Sequence, residues 1–452
     1  MNEELEKVFE RLALFFENRK FADLRMILLD MEPFDIATFI EDRLEDKNQL
    51  MFFRVLPKEL ASDVFVEFDS DTQESFIKAF SDKELKAVID DMFLDDTVDI
   101  IEEMPANVVK RILRNSDPED RKQINELLEY PEDSAGSIMT TEFISLSQSM
   151  TVDMAFDKIR KTGVNKETVY TCYVTDRKKR LIGVVTVKDL LLAPKDDLVG
   201  HIMQENVVTV ETLEDKEQVA MKFSKYDFIA LPVIDKEGCL VGIVTVDDAV
   251  DVIQEEATED ISLMAAVTPI EKPYLKSSVF SIFKARFPWL LLLMVSATFT
   301  SMILSSYESK LSTVLFAFVP MIMGTAGNAG GQASVTVIRA LALGEVEFKD
   351  IFKIIWKELR ASALLGLALA LACFLKLYFV DSLYNEITIN IAGVVSAVLF
   401  SAIVMAKFIG CILPVIAKKC KLDPAVMASP FITTLVDALS LMIYCAVAIA
   451  LL

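Results

Sequence analysis

The chain has 452 residues, of which 53% are hydrophobic, and it carries 68 Asp and Glu against 46 Lys and Arg, a net charge of −22. Residues 1–270 hold 58 acidic and 31 basic side chains, whereas residues 271–452 hold 10 acidic and 15 basic ones. An acidic soluble half therefore precedes an apolar half of membrane character. The excess of acid argues against nucleic acid as a partner, because phosphate binding requires the opposite charge.

The first predicted helix, MNEELEKVFERLALFFENRK, is charged and amphipathic and lacks the apolar core of a signal peptide. We therefore expect the N-terminus to stay in the cytosol. Residues 30–115 then repeat with a period of 24, which aligns Pro33, Pro57, Ser81 and Pro105 at the starts of successive short helices. Such paired helices predict an α-solenoid, and we assign residues 1–130 to this helical, acidic N domain.

A second internal repeat follows the solenoid. The segment that ends in LIGVVTVKDLL recurs as one that ends in LVGIVTVDDAV. Each copy has the pattern strand, helix, strand, turn, strand, helix. The repeat predicts two similar α/β domains, residues 131–198 and 199–250.

The helix that comes next, within TVDDAVDVIQEEATEDISLMAAV, has one acidic and one apolar side. A second acidic run, DDMFLDDTVD, lies in the solenoid. Both are either solvated faces or surfaces that approach each other only with cations between them, because like charges repel. The second interpretation predicts regulatory metal sites at Asp91, Asp95, Asp248, Asp251, Glu255, Glu256 and Glu259.

Five apolar runs follow, and each is long enough to cross a bilayer. They cover about 287–305, 312–338, 359–380, 389–416 and 429–452. Basic residues concentrate before the first run and in the second and fourth loops, which the positive-inside rule assigns to the cytosol. The sequence therefore predicts a five-helix, all-α transmembrane domain over residues 271–452, joined to the soluble half by a linking helix at 251–270.

The second run contains the stretch PMIMGTAGNAGGQAS, in which Pro320 and four glycines should weaken a helix. Irregular backbone at membrane depth survives only where it packs on protein or lines water. The glycines taken alone are equally consistent with close helix packing. Asn328 and Gln332, four residues apart on one helix face, favour a polar passage.

The last run contains Asp437, which has no Lys or Arg in its own segment. An ionised carboxylate in hydrocarbon costs at least about 2.5 kcal/mol, so it must face a partner, a cavity or an ion. One alternative is a pair with Lys407 of the fourth run. The other is an ion site, since Thr433 and Thr434 nearby complete a set of oxygen ligands that suits a hard, hydrated cation.

The two α/β copies resemble a pair of cystathionine-β-synthase (CBS) domains, whose G-h-h-T-x-x-D ending occurs at 183–189 and 242–248. The whole order of domains resembles the MgtE family of magnesium channels. The most specific matches are GTAGNAGGQAS and DPAVMASPFITTLVDALSL, where the pore aspartate of the family falls on Asp437. Ser440 departs from the family pattern, in which we expect a glycine or a similarly small residue.

The resemblance implies a multidomain membrane protein with a cytosolic α-solenoid and tandem CBS domains ahead of the membrane helices. It implies a Mg²⁺ channel or transporter for uptake in the plasma membrane, closed when Mg²⁺ binds the acidic domains and moves the linking, or plug, helix. CBS pairs in other proteins often bind adenosine nucleotides, so the resemblance also suggests ATP as a ligand, with ribose contacts at Thr186, Asp189 and Thr245. A homodimer is expected, since one Asp437 per chain cannot surround an ion.

Two other interpretations of the membrane domain remain. A secondary transporter could couple Asp437 protonation to the movement of divalent cations, because membrane carboxylates are common in that class. The second interpretation is an enzyme that is merely anchored to the membrane. The sequence argues against it, because it shows neither a nucleophile with its base, nor a phosphate-binding loop, nor a metal triad. We therefore predict that the protein is not an enzyme. The six cysteines lack metal-ligand spacing and are expected to be reduced packing residues.

Overall fold

The computed structural model describes residues 3–270, 272, 274–308, 313–383, 387–427 and 429–451. The chain divides into two compact units, Met1–Ile253 and Gln254–Leu452. The predicted boundaries at residues 271, 312 and 452 lie outside the described residues.

Short helices fill the N-terminal part of the first unit. They are α1 Glu3–Glu17, α2 Phe21–Leu28, α3 Pro33–Arg43, α4 Asp46–Phe53, α5 Lys58–Val66, α6 Ser70–Ala79, α7 Asp82–Ile89, α8 Leu94–Glu103, α9 Ala106–Asn115 and α10 Pro118–Leu127. Alternate helices pack on each other, α3 on α5, α5 on α7 and α7 on α9. This is the paired-helix stacking of a solenoid, as the repeat predicts.

The 24-residue period marks where these helices begin. Pro33 is the first residue of α3, and Pro57, Ser81 and Pro105 are the N-caps of α5, α7 and α9. Ser81 forms a capping box, in which its hydroxyl accepts from the Glu84 backbone N–H and the Glu84 carboxylate accepts from the Ser81 backbone N–H. The prolines and Ser81 therefore stand at helix starts, and only Ser81 caps its helix through its side chain.

The two α/β copies follow, and the boundary between the two units falls within their last helix, after Ile253. Their elements are β1 Ser145–Ser147, α11 Val152–Thr162, β2 Thr171–Thr175, β3 Leu181–Thr186, α12 Val187–Leu192, α13 Val199–Ile202, β4 Val210–Glu211, α14 Lys216–Tyr226, β5 Ala230–Ile234, β6 Leu240–Thr245 and α15 Val246–Met264. Each copy has a three-stranded sheet whose first strand pairs parallel and whose third pairs antiparallel with the second. The element order matches the predicted repeat, and α15 directly continues β6.

The second unit contains the apolar helices. They are α16 Val279–Glu308, α17 Thr313–Phe316, α18 Val319–Ala342, α19 Ile351–Phe379, α20 Ile389–Lys419 and α21 Ser429–Leu451. Among the described residues, five helical segments are long and apolar enough to cross a membrane, with α17 and α18 counted as one. The five-helix transmembrane prediction is confirmed, and α18 packs on both α20 and α21.

The glycine-rich stretch does not weaken its helix, contrary to the prediction. α18 runs without interruption from Val319 to Ala342. Pro320 lies in the first turn, where its missing N–H removes no helical hydrogen bond. A Cβ built on Gly330 would lie 3.1 Å from the Ala406 carbonyl oxygen of α20, and one on Gly410 would overlap the Gly330 carbonyl. These glycines therefore let two helix backbones touch.

Candidate functional site

Asp437 lies in the first half of α21, on the side that faces α18. A Cβ built on Gly327 of α18 would lie 3.1 Å from Asp437 Oδ1 and 2.8 Å from the Thr433 methyl group. Asp437 Oδ1 is buried and has no hydrogen-bond partner in the part of the chain that the structure describes. Buried carboxylate oxygens normally have one. The structure thus brings Asp437 and Thr433 together at the glycine-rich helix, with one acceptor atom unused.

Lys407, the alternative partner of Asp437, is paired elsewhere. Its Nζ lies 3.2 Å from Glu358 Oε2 of α19, and only 9% and 16% of the two side chains are exposed. Because Glu358 neutralises the ammonium group, Lys407 does not compensate Asp437 in this chain. The structure therefore overturns the ion-pair alternative and leaves the ion-site interpretation of Asp437.

The predicted amides lie on a different side of α18. Asn328 and Gln332 are exposed one turn apart, and Gly324 extends this face by a further turn. No described hydrogen bond joins either amide to Asp437. Thr434 is also set apart, because its Oγ1 donates to the Pro430 carbonyl of its own helix at 2.9 Å. The polar face is suited to border water, since polar groups at membrane depth need protein or a water-filled cavity.

A second candidate site lies in the first unit. Its carboxyl groups come from three separate segments, and we call the set Asp95, Asp96, Glu167 and Asp248 the acidic cluster. Asp95 is only 9% exposed. Asp95 Oδ1 and Glu167 Oε2 are both buried without a hydrogen-bond partner among the described residues. α8, which carries Asp95 and Asp96, is fixed in the core by its apolar face.

Burial and mutual repulsion disfavour the ionised forms of the cluster. Burial, with repulsion from Asp248, raises the pKa of Asp95 well above its usual value and that of Asp96 to about 7. Burial, with repulsion from Asp247 and Asp248, raises the pKa of Glu167 to about 7. Burial also raises the pKa of Asp248 to about 6, although the hydrogen bond from Thr245 opposes it. The negative charges therefore lack compensation.

A hard cation would supply this compensation. Carboxylate oxygens are hard ligands of the kind that Mg²⁺ binds in proteins. Among the described residues, no group of three or more His, Cys, Asp or Glu side chains could hold a metal ion by itself. Mg²⁺ does not need three side chains at one point, because it usually keeps several waters and binds one or two carboxylates. The donor set therefore fits hydrated Mg²⁺ better than a metal that needs a closed cage.

The other predicted regulatory residues lie outside the acidic cluster. Asp91 Oδ2 is 3.4 Å from Lys58 Nζ, and both side chains are exposed. Asp251 lies close enough to Glu67 to help burial raise the pKa of that carboxyl. The remaining predicted regulatory residues lie in the second unit, beyond residue 253: Glu255, Glu256 and Glu259.

The second unit holds an acidic pair that the sequence does not indicate. Burial and repulsion from Asp423, in the loop between α20 and α21, raise the pKa of Asp260 of α15. Leu263 packs in a small apolar cluster with Ile338 of α18 and Ala425. The end of α15 therefore contacts the helix and the loop that lead to the membrane site. More than 150 residues separate the two acids in the chain, so no local pattern indicates the pair.

The predicted nucleotide residues cap helices. Thr186 Oγ1 donates to Asp189 Oδ2 at 2.6 Å, and the Asp189 backbone N–H donates to Thr186 Oγ1 at 3.1 Å. Thr245 likewise donates its hydroxyl proton to Asp248. Each pair stabilises the start of the helix that follows its sheet. Asp248 also belongs to the acidic cluster, so a ligand at that pair would compete with a cation.

Apolar helices long enough to span a membrane, with a buried carboxylate oxygen that has no partner among the described residues, are typical of an ion transporter. Residues 319–447 match the profile of a divalent cation transporter family named MgtE. Residues 31–133 match the MgtE intracellular N domain, and 135–196 and 199–255 match CBS domains. The chain belongs to the MgtE family, whose members are ion transporters and not enzymes.

Two similar proteins are both named magnesium transporter MgtE. The one from Thermus thermophilus is 35% identical over 431 residues, 94% of each chain. The one from Bacillus subtilis is 31% identical over 446 residues, 97% of this chain and 96% of that protein.

Two solved structures resemble the soluble half. One, the soluble part of a magnesium transporter, has a TM-score of 0.53 at 30% identity and covers 56% of this chain and 99% of its own. The other is the cytosolic domain of the Mg²⁺ channel MgtE in complex with ATP. It has a TM-score of 0.51 at 34% identity and covers 53% of this chain and 98% of its own.

Proposed function

We propose that the chain forms a Mg²⁺-selective pore in which Asp437 binds the permeating ion. The observation that carries this proposal is the buried, unpartnered Asp437 Oδ1, held against Gly327 while the nearby lysine is neutralised by Glu358. A full charge at membrane depth attracts a divalent cation, and the surrounding hydroxyl groups can bind its waters. The names of the full-length relatives support Mg²⁺ as the ion.

A second copy of the chain would complete the pore. One carboxylate cannot surround an ion, and the polar face with Asn328 and Gln332 is uncovered in the single chain. A two-fold axis would bring the Asp437 carboxylates of two chains to one ion, while the amides of Asn328 and Gln332, on another side of α18, would border the water that leads to it. The alternative of a proton-coupled carrier is not favoured, because one solved relative is titled a Mg²⁺ channel.

The pore assignment is tested by Mg²⁺ flux into proteoliposomes that contain the full chain. Asp437→Asn keeps the size of the side chain but removes its charge, so flux should fall by at least tenfold while insertion is unchanged. Asp381→Asn is the matched control, because Asp381 is paired with Lys376 at 2.9 Å outside the proposed pore. Wild-type flux in Asp437→Asn would refute the assignment.

The acidic cluster is the proposed sensor of cytosolic Mg²⁺. When Mg²⁺ is scarce, the carboxylates of the cluster repel one another and separate. When Mg²⁺ is bound, its charge compensates theirs and they come together. The ion binds this compact form more tightly and therefore favours it. α15 carries Asp248 of this cluster in its first turn, and Leu263 in its last turn packs with Ile338 of α18 and with Ala425 in the loop before α21. A change at the cluster is therefore suited to move the plug helix and close the pore.

Closure is tested by flux at graded Mg²⁺ concentration on the cytosolic side. Asp95→Asn with Asp96→Asn removes two ligands, and it should keep the pore conducting at Mg²⁺ levels that close the wild type. Asp117→Asn with Asp120→Asn is the matched control, because Asp117 is the N-cap of α10 and Asp120 lies in its first turn, both outside the cluster. A cluster variant with an unshifted closing concentration would remove the cluster from the mechanism.

ATP binding is a further part of the proposal, supported by the ATP complex of the similar cytosolic domain. Asp189 is the better placed ribose ligand, because it is not shared with the acidic cluster. Calorimetry on residues 1–270 should show heat with millimolar ATP, and less in Asp189→Asn. We place the chain in the plasma membrane with a cytosolic N-terminus, since the acidic half must sample the Mg²⁺ that it senses.

A further inference from the structure

The start of α19 extends beyond the length that a bilayer requires. The apolar helical segment runs from Phe348 to Leu383, 36 residues, or about 54 Å at 1.5 Å per residue. The hydrocarbon core is only about 30 Å thick. The predicted span begins near residue 359, so the preceding residues lie at the cytoplasmic boundary of the membrane.

Aromatic rings and cations share the exposed side of this extension. Phe352 and Trp356 are 81% and 61% exposed. Lys353 and Lys357 each follow a ring by one residue, and Arg360 lies one turn beyond Trp356. Because residues four apart on a helix share a side, Phe352, Trp356 and Arg360 form one row, and the two lysines form an adjacent row. We call these five residues the interfacial face.

The cations of this face are only partly neutralised. Lys353 Nζ lies 2.7 Å from Asp350 Oδ1. Lys357 and Arg360 have no acidic partner among the described residues, and the acid between them, Glu358, is already paired with Lys407. The Arg360 guanidinium lies 5.7 Å from the centroid of the Trp356 ring. Two positive charges therefore remain beside an exposed indole.

The charge continues onto the neighbouring helix. Lys419, in the last turn of α20, has its Nζ 4.0 Å from the centroid of the Phe348 ring. No acid pairs with Lys419 in the described part of the chain. The basic end of α20 thus lies against the start of the α19 segment, so the cations come from two helices rather than from one charge run.

We propose that the interfacial face binds the headgroup of an anionic phospholipid in the cytoplasmic leaflet. Indole and phenyl rings are enriched at the headgroup level of a bilayer. Basic residues at that depth attract anionic lipids, and an Arg guanidinium matches phosphate oxygens with two parallel hydrogen bonds. A free phosphate ion would leave the rings exposed to water, and a second copy of the same face would bring like charges together.

Fluorescence quenching tests the proposal, because Trp356 is one of only two tryptophans. Trp289→Phe leaves Trp356 as the sole indole in the full chain. This variant is placed in bilayers that contain brominated phosphatidylglycerol or brominated phosphatidylcholine. Trp356 should be quenched preferentially by the anionic lipid. Each cation that is removed should lower this preference about fivefold, which corresponds to about 1 kcal/mol for a basic residue at an anionic surface.

The decisive variant is Lys357→Gln with Arg360→Gln, which should lose most of the preference, whereas Arg360→Lys should keep much of it. Lys178→Gln with Lys179→Gln is the matched control, since these exposed cations lie in the β2–β3 turn of the first unit. Excess inorganic phosphate should not abolish the preference, and if it does, the site takes free phosphate. Equal quenching by the two lipids, no quenching by either, or an unchanged preference in the decisive variant would overturn the proposal.

Discussion

Glu358→Gln should destabilise the membrane domain strongly. It leaves the Lys407 ammonium, in a side chain only 9% exposed, without its partner at 3.2 Å. Removing one member of a buried ion pair costs about 3–5 kcal/mol, and a lysine at the centre of a membrane helix about 2.5–3.5 kcal/mol. We therefore expect the free energy of unfolding to fall by about 3 kcal/mol, because α20 cannot turn Lys407 outward while it packs on both α18 and α19. The assay is unfolding of the full chain in mixed detergent and SDS micelles, followed by circular dichroism.

Two comparisons decide whether this reasoning holds. Asp381→Asn breaks an ion pair in which Lys376 Nζ lies 2.9 Å from Asp381 Oδ2 and the lysine side chain is 53% exposed. The free energy of unfolding should fall by less than about 1 kcal/mol, because exposed pairs contribute little. Glu358→Gln combined with Lys407→Met removes both charges and should recover most of the loss, since an apolar replacement of a buried pair is often neutral. A loss in Glu358→Gln no larger than that in Asp381→Asn would refute the buried-charge argument.

Three further changes have defined outcomes. The pKa values of Asp96 and Glu167 are raised to about 7 from ordinary values near 4, so the native state holds their protons more tightly than the unfolded state does. The contribution of these two groups to stability should therefore be full near pH 4 and lost as the pH rises through 7. Denaturant unfolding of residues 1–270 without Mg²⁺ measures it. Gly410→Ala should reduce both stability and flux, because its methyl group would overlap the Gly330 carbonyl, and SDS unfolding with the flux assay measures both. Asn328→Ala should lower Mg²⁺ flux less than Asp437→Asn, since an amide supplies a dipole in place of a full charge.

Features that depend on residues close together in the sequence could be predicted. The period that aligns Pro33, Pro57, Ser81 and Pro105 marks helix starts, because capping depends on residues three or four apart. The strand and helix order of the α/β repeat and the five apolar runs were predictable for the same reason, since periodicity and run length are local. Asp437 was singled out because a charge in an apolar run has a known cost.

Features that depend on tertiary contacts could not be predicted. The glycines of α18 suggested a weakened helix, but contact between Gly330 and Gly410 shows that they serve close packing within a continuous one. Glu167 joins the acidic cluster from an α/β loop with no acidic run around it. The pair between Lys407 and Glu358 could not be foreseen either, because sequence spacing does not tell which acid of a neighbouring helix lies opposite a lysine.

The most direct test of the central claim is Mg²⁺ uptake into proteoliposomes of equal internal and external pH, driven only by a membrane potential. A pore that binds the ion at Asp437 predicts sustained uptake under these conditions, lost in Asp437→Asn and kept in Asp381→Asn. Uptake that requires a proton gradient, or that persists unchanged in Asp437→Asn, would contradict the account.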